Sequence, residues 1–209
     1  MSVKDYIVRP TTIQEVRPFI EQWHYSENVN GLRITHVFGL YKEDDENPFG
    51  DTLIGAMIYG GLAMASVWKK YGEVESDVVE LRRLCCIDDT PKNTESYFIG
   101  QTLRWLKKNT DYKVVVSYAD SNYNHTGTIY QATNFEYHGM TANGRVIDFN
   151  GKHYHDKTIR TYYTDKYGVK KLKPYAQKVR DALESGEAKY VETTGKHIYL
   201  FKLKKRGKK

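Results

Sequence analysis

Three stretches constrain this chain together: a Val- and Leu-rich run over Val78 to Cys86, a helical pattern with apolar Phe98, Ile99, Leu103, Trp105 and Leu106, and the run Val114-Val115-Val116. Strand, loop, helix and strand in that order make a βαβ unit, whose two strands run parallel. Asn93 or Thr94 caps the helix, and Lys107 and Lys108 suit the negative end of its dipole. After the valines come Ser117-Tyr118-Ala119-Asp120 and the polar stretch Ser121 to Thr128, so the chain leaves the sheet there. Asp120 therefore sits at a strand's carboxyl end, the edge of an open α/β sheet where ligands bind. Tyr130 follows on a short helix that starts near Thr126 or Thr128. Taken alone, these residues read equally well as a strand, an Asx-rich loop and a helix with a half-buried tyrosine.

Around that unit the chain is mostly strand. Asp5 to Arg9 is a first strand, which Pro10-Thr11-Thr12 ends while offering a threonine cap. Ile13, Val16, Phe19, Ile20 and Trp23 recur at helical spacing, with Pro18 a kink, and His24-Tyr25 come next on a polar loop. Arg33 to Lys42 and Thr52 to Gly60 form a hairpin around the acidic loop Glu43 to Asp51, and Val78 to Cys86 extends it into a meander. Glu136 to Thr141 is a strand. Arg145 to Phe149 and Lys152 to Tyr154 flank Asn150-Gly151, the favoured type I′ pair. A helix through Tyr175, Val179, Ala182 and Leu183 stops at Gly186, and a final hairpin turns near Thr194-Gly195 into Ile198 to Leu203.

This order predicts an α/β fold of the acetyltransferase (GNAT) type: a mixed, mostly antiparallel sheet flanked by helices, with a C-terminal hairpin and helix extension. At 209 residues a single domain over 1–201 is expected, its core about 1–141 and a basic extension 142–201, followed by a basic tail at 202–209.

The formal charge of +6 favours polyanionic partners, and 18 tyrosines against 7 phenylalanines tilt the aromatics towards rings with a polar tip. Basic and aromatic residues interleave over Lys157, Arg160, Tyr162, Tyr163, Lys166, Tyr167, Lys170 and Lys171, a pattern suited to stacking and phosphate pairing. Lys204, Lys205 and Arg206 belong to a tail that is either a solvated end or an arm on nucleic acid. His153 and His155 lack further ligand spacing and read as surface residues. Cys85 and Cys86 are adjacent and cannot bridge to each other, which points to a reducing, cytoplasmic setting. No apolar run approaches the length a bilayer requires, so no membrane partner is expected.

Read together, Leu81-Arg82-Arg83-Leu84, Pro91 to Ser96, Ser117-Tyr118-Ala119-Asp120 and Gly127 to Phe135 resemble the Mom family of phage DNA-modification proteins. The resemblance is dense over residues 81–139, with His24-Tyr25 an outlying match. It implies an acetyltransferase-like enzyme that converts adenine N6 in DNA to a carbamoylmethyl derivative and so shields DNA from restriction enzymes. It also implies iron, held by His24, Tyr25, Asp120 and Tyr130, a set of hard oxygens and an imidazole that suits iron better than zinc. Arg83 and Ser96 match residues implicated in the family and would clamp the anionic part of a group donor. The expected catalytic set is Asp120, Tyr130, Arg83 and Ser96.

One feature departs from ordinary acetyltransferases. Their pyrophosphate loop contains glycine, whereas Asp88-Asp89-Thr90-Pro91-Lys92-Asn93 has none and carries two carboxylates, so acetyl-CoA is not the expected donor. The expected partners are double-stranded DNA and an unidentified small-molecule donor, in the cytoplasm of a host bacterium, and a homodimer is allowed. An acetyl-CoA-dependent N-acetyltransferase and a non-catalytic DNA-binding protein are the rival readings.

Overall fold

The computed structural model describes residues 2–44, 50–64 and 66–203. In chain order its strands are β1 (Ile7–Pro10), β2 (Ile34–Lys42), β3 (Thr52–Gly60), β4 (Val78–Cys86), β5 (Val114–Asp120), β6 (Glu136–Met140), β7 (Gly144–Phe149), β8 (Lys152–His155), β9 (Tyr162–Thr164), β10 (Lys170–Leu172), β11 (Ala188–Thr193) and β12 (Lys196–Lys202). The helices are α1 (Ile13–Trp23), α2 (Thr94–Asn109), α3 (Thr128–Gln131) and α4 (Pro174–Ser185). The chain forms two compact units. The first comprises Met1–Ala119, His125–Gly139 and His197–Lys209, and the second Asp120–Asn124 and Met140–Lys196.

The first unit is built on a seven-stranded sheet of order β1-β2-β3-β4-β5-β12-β6. β1 to β4 pair antiparallel in sequence, and β4 pairs parallel with β5 across the α2 crossover. Alternation sends successive side chains of β2 and β3 to opposite faces. Val37, Ala56 and Ile58 meet Val16 and Ile20 of α1. Phe38, Leu40, Met57 and Tyr59 meet Phe98, Ile99, Leu103 and Leu106 of α2. Burying both faces is what lets a helix lie on each side of the sheet.

Thr12 caps α1 by accepting from the Glu15 N–H, and the helix passes through Pro18 without ending. α2 starts differently from the expected cap. Asn93 occupies the N-cap in a left-handed conformation, φ +74°, and its side chain caps nothing. The Thr94 hydroxyl donates instead to the Pro91 carbonyl at 2.6 Å. Thr94 is the first helical residue, one position past the N-cap, and its hydroxyl closes the preceding turn.

The final hairpin is also corrected. β11 pairs antiparallel with β7, from Ala188/Phe149 to Thr193/Gly144, while β12 lies between β5 and β6 in the other sheet. Burial separates them. β12 sends Tyr199 and Phe201 towards one apolar cluster and Ile198 and Leu200 towards another, as an interior strand must, whereas β11 leaves Lys189, Tyr190 and Glu192 exposed.

In the second unit β7 pairs with β8 and β11, and α4 packs Val179 and Ala182 against Ile147, Phe149 and Ala188. The β7–β8 turn has positive φ at both Asn150 (53°) and Gly151 (72°), the type I′ geometry its sequence predicts. β9 and β10 form a ribbon of their own.

Candidate functional site

The carboxyl edge of the central strands in the first unit is opened by two features of β4. Its ladder with β5 runs from Val78/Val114 to Leu81/Ser117 and stops there, although β4 continues to Cys86. Against β3 its register slips between Ile58/Arg83 and Tyr59/Leu81, so Arg82 is an extra residue in a β-bulge. A bulge bends the strand and re-aims the side chains on either side of it. The Arg82 guanidinium donates to Glu80 at 2.8 Å, both side chains being largely buried, while its Nε has no hydrogen-bond partner among the described residues. Arg83 donates through Nε to the Asn28 carbonyl at 3.2 Å and through a terminal nitrogen to the Arg82 carbonyl at 2.8 Å.

Arg83 lies in the electrostatic reach of His24 and Tyr25, the residues that end α1. His24 is 6% exposed, and its N–H donates to the Ile20 carbonyl to close the helix. Its Nδ1 accepts the Ser26 N–H at 3.0 Å, so the neutral ring carries its proton on Nε2. Burial, then the Arg83 cation and His125, push its pKa down to about 4, which keeps it neutral at physiological pH. The Tyr25 ring lies between two imidazoles, its centroid 4.3 Å from that of His24 and 5.0 Å from that of His125, the latter edge-on.

Tyr130, on α3, is held from behind. Gly127 precedes the helix with φ +80°, and a Cβ there would stand 2.2 Å from the Tyr199 ring. The Tyr199 hydroxyl donates to the Thr126 carbonyl at 2.6 Å and accepts from the Gln131 amide at 3.0 Å. The Tyr130 ring packs on Phe135 and Tyr199. Burial raises its pKa to about 12; the Ser117 hydroxyl opposes that shift, and Tyr25 and Glu80 add to it. His24, Tyr25, Arg83 and Tyr130, four of the expected site residues, all belong to the first unit, where the Arg83 cation acts on His24.

Asp120 belongs to the second unit, where it is buried. One carboxylate oxygen meets Lys196 Nζ at 2.7 Å, and the other accepts from the Asn122 N–H at 3.1 Å and side-chain amide at 2.8 Å. Burial pushes its pKa up, but Lys196 and Asn122 outweigh that and hold it below the ordinary carboxylate range. Ser96 lies in the first turn of α2, half-buried, and makes no side-chain hydrogen bond among the described residues.

Within the first unit His24 offers a neutral imidazole and Tyr25 and Tyr130 offer phenol oxygens, donor types that iron accepts. Nε2 is the His24 nitrogen left over by Ser26.

The expected phosphate-binding residues Lys157, Arg160, Lys166, Lys170 and Lys171 are all exposed in the second unit. Lys204, Lys205 and Arg206 lie outside the described residues. His125, Glu80, Ser117 and Lys196 were not singled out by sequence. Only Glu80 left a signal there, a carboxylate two residues before Arg82 on one strand. Lys196 meets Asp120 from 76 positions away, a pairing no local pattern encodes.

A profile of the Mom protein family matches residues 5–209. The methylcarbamoylase mom of Escherichia phage Mu is 26% identical over 147 residues, which are 68% of this chain and 57% of that protein, so less than two thirds of the relative is spanned. Among solved structures, Arabidopsis thaliana NAA60 in complex with acetyl-CoA superposes with a TM-score of 0.54 at 12% identity, covering 94% of this chain and 98% of that one. A ribosomal-protein alanine N-acetyltransferase from Escherichia coli gives 0.50 at 10% identity, covering 97% and 96%. At such identities the likeness concerns the fold alone, and it bears out the GNAT-like architecture.

Proposed function

The chain belongs to the Mom protein family, and from that premise we propose that it is a DNA-modifying transferase of the phage type, acting on the N6 amine of adenine in double-stranded DNA. The product is a carbamoylmethyl derivative that shields the DNA from restriction endonucleases. The observation that carries this reading is the match of residues 5–209 to the Mom family, together with the first-unit residues His24, Tyr25, Arg83 and Tyr130 near the edge where β4 and β5 stop pairing.

The chemistry assigns roles to these side chains. N6 forms the new N–C bond, the donor's anionic leaving group departs with the bonding pair, and one N6 proton must be removed. Asp120 is ionised and takes that proton in the proposal. Arg83, a cation with little solvent around it, and Ser96, at the start of α2, hold the anionic end of the donor. Tyr130 keeps its phenolic proton at neutral pH and donates a hydrogen bond to a carbonyl of the transferred group. Adenine must leave the base stack to reach such groups. Were iron held by His24, Tyr25, Asp120 and Tyr130, it would supply the Lewis-acid polarisation of the donor in place of the Tyr130 hydrogen bond, and Asp120 would serve as ligand and not as base.

Mass spectrometry of nucleosides from cells expressing the protein tests the reading; only unmodified adenine, with soluble protein present, overturns it. Iron analysis of wild type beside Asp120→Ala tests the ligand set. Equal iron in both removes Asp120 from it, and iron in neither removes the metal. The fold favours one second reading, an acetyl-CoA-dependent N-acetyltransferase. Calorimetric titration with acetyl-CoA should give no binding heat, because Asp88 and Asp89 lie in the glycine-free loop before α2.

A further inference from the structure

The positive charge of this chain is concentrated in one segment of the second unit. Residues 152–180 carry nine Lys and Arg against two Asp, a net +7 that exceeds the +6 of the whole chain. Both carboxylates are committed: Asp156 to Arg145 at 3.7 Å and Arg160 at 2.5 Å, and Asp165 to Lys171 at 2.8 Å. Lys157, Lys166, Lys170 and Lys173 form no ion pair among the described residues, so their charge is offered outward.

Within this segment stands the β9–β10 ribbon. All three residues of β9 are exposed, as are Lys170 and Lys171 of β10, and none of the ribbon's residues joins an apolar cluster. A lone two-stranded ribbon is marginal in water, yet the tip of this one is built with care. Asp165 accepts the N–H groups of Tyr167 and Val169, both at 2.9 Å, its own N–H donates to the Val169 carbonyl at 2.9 Å, and Gly168 takes the φ of +79° the turn requires. The apex so defined presents Tyr167, 77% exposed, and Val169, 51% exposed. Lys166 lies 4.9 Å over the Tyr167 ring, and Lys170 lies 4.9 Å over that of Tyr162.

From these observations we infer that the β9–β10 ribbon enters the major groove of duplex DNA and inserts Tyr167 against the base stack. The major groove admits a two-stranded ribbon. Unpaired lysines along the strands neutralise the flanking phosphates, and an aromatic ring at a stiff apex can stack on or wedge between bases. The charge selects the partner: a surface this cationic, with its carboxylates already paired, complements a polyanion and not an apolar protein face. The inference rests on the DNA-modifying reading and deepens it, because it names the element that disturbs the duplex.

Binding of the full chain to a duplex containing 2-aminopurine, followed over a salt series, tests it. Wild type is expected to bind and to raise the fluorescence as the probe unstacks. Tyr167→Ala should bind about ten-fold more weakly, with an unchanged salt slope and no fluorescence rise, and Tyr167→Phe should behave as wild type. Lys170→Ala should lower the salt slope by about one. Tyr167→Ala with wild-type affinity and fluorescence overturns the inference, as does a wild type that binds no duplex. Adenine modification by the same variants separates the two failures: if wild type modifies DNA and Tyr167→Ala is indistinguishable in both assays, the ribbon's role falls and the enzymatic reading stands.

Discussion

In the first unit Tyr6, Tyr41, Tyr59, Tyr130 and Tyr199 are at most 8% exposed, whereas in the second Tyr162, Tyr163, Tyr167, Tyr175 and Tyr190 are 41% to 77% exposed. Three of the buried set are tied down by hydroxyl partners: Tyr41 donates to Glu15 at 2.7 Å, the Tyr59 and Thr102 hydroxyls hydrogen-bond at 2.8 Å, and Tyr199 donates to the Thr126 carbonyl. The exposed set offers its faces instead, with Lys170 over Tyr162, Lys166 over Tyr167 and Arg145 over Tyr190. These ten tyrosines thus divide into core and surface by unit, although Tyr25 and Tyr137 of the first unit are exposed too and Arg9 lies 3.9 Å over the buried Tyr41 ring. A buried hydroxyl must find a partner inside the protein, while an exposed one can leave that to water and keep its ring for a ligand.

Substitutions should break this contrast in a fixed order. Tyr59→Ala should cost about 3 to 5 kcal/mol in chemical denaturation, the range for emptying a large aromatic site. A loss below ~1 kcal/mol would show that Tyr59 is not core. Gly127→Ala should cost about 2 to 3 kcal/mol, combining a left-handed backbone with overpacking against Tyr199. A thermal midpoint equal to wild type would mean that Tyr199 does not buttress Tyr130.

Acid should act more gently, through Asp77, which accepts from the Glu73 and Val74 N–H groups and meets Lys113 at 3.2 Å. Burial pushes this carboxyl up, but those donors outweigh it and hold its pKa below the ordinary range. A depressed carboxylate contributes stability at pH values above its unfolded pKa near 4, and that contribution is lost as pH falls through the lower folded value. The acid arm of the stability curve should therefore be shallower in Asp77→Asn than in wild type; parallel curves would refute the assignment. The smallest effect on folding belongs to Tyr167→Ala, within about 0.5 kcal/mol of wild type, although the same change should weaken DNA binding.

Much of the first unit was legible because its signals are local. The apolar runs of β2 to β4, the helical spacing around Val16 and Phe98, and the βαβ order revealed the sheet and its parallel pair. The Asn150-Gly151 turn and the Gly186 stop were equally plain, since each rests on a backbone conformation that few residues adopt. The α2 N-cap falls on Asn93, one of the two expected residues, but in a left-handed conformation whose side chain makes no capping bond. The last two strands were misjudged because a turn at Thr194-Gly195 says nothing about which sheet each strand joins. At the site, His24, Tyr25, Arg83, Asp120 and Tyr130 were reached through their resemblance to a family and not through their spacing.

By itself, then, the sequence determined what neighbouring residues dictate: which runs are strands or helices, where the turns fall, and that the charge gathers over 152–180. Tertiary structure alone decided that β12 inserts beside β5, that Arg83, next to the Arg82 bulge, reaches the Asn28 carbonyl, and that Lys196 holds Asp120 ionised. Those outcomes depend on residues tens of positions apart competing for the same buried space and the same counter-charge. Such a competition is settled only when the whole chain has packed.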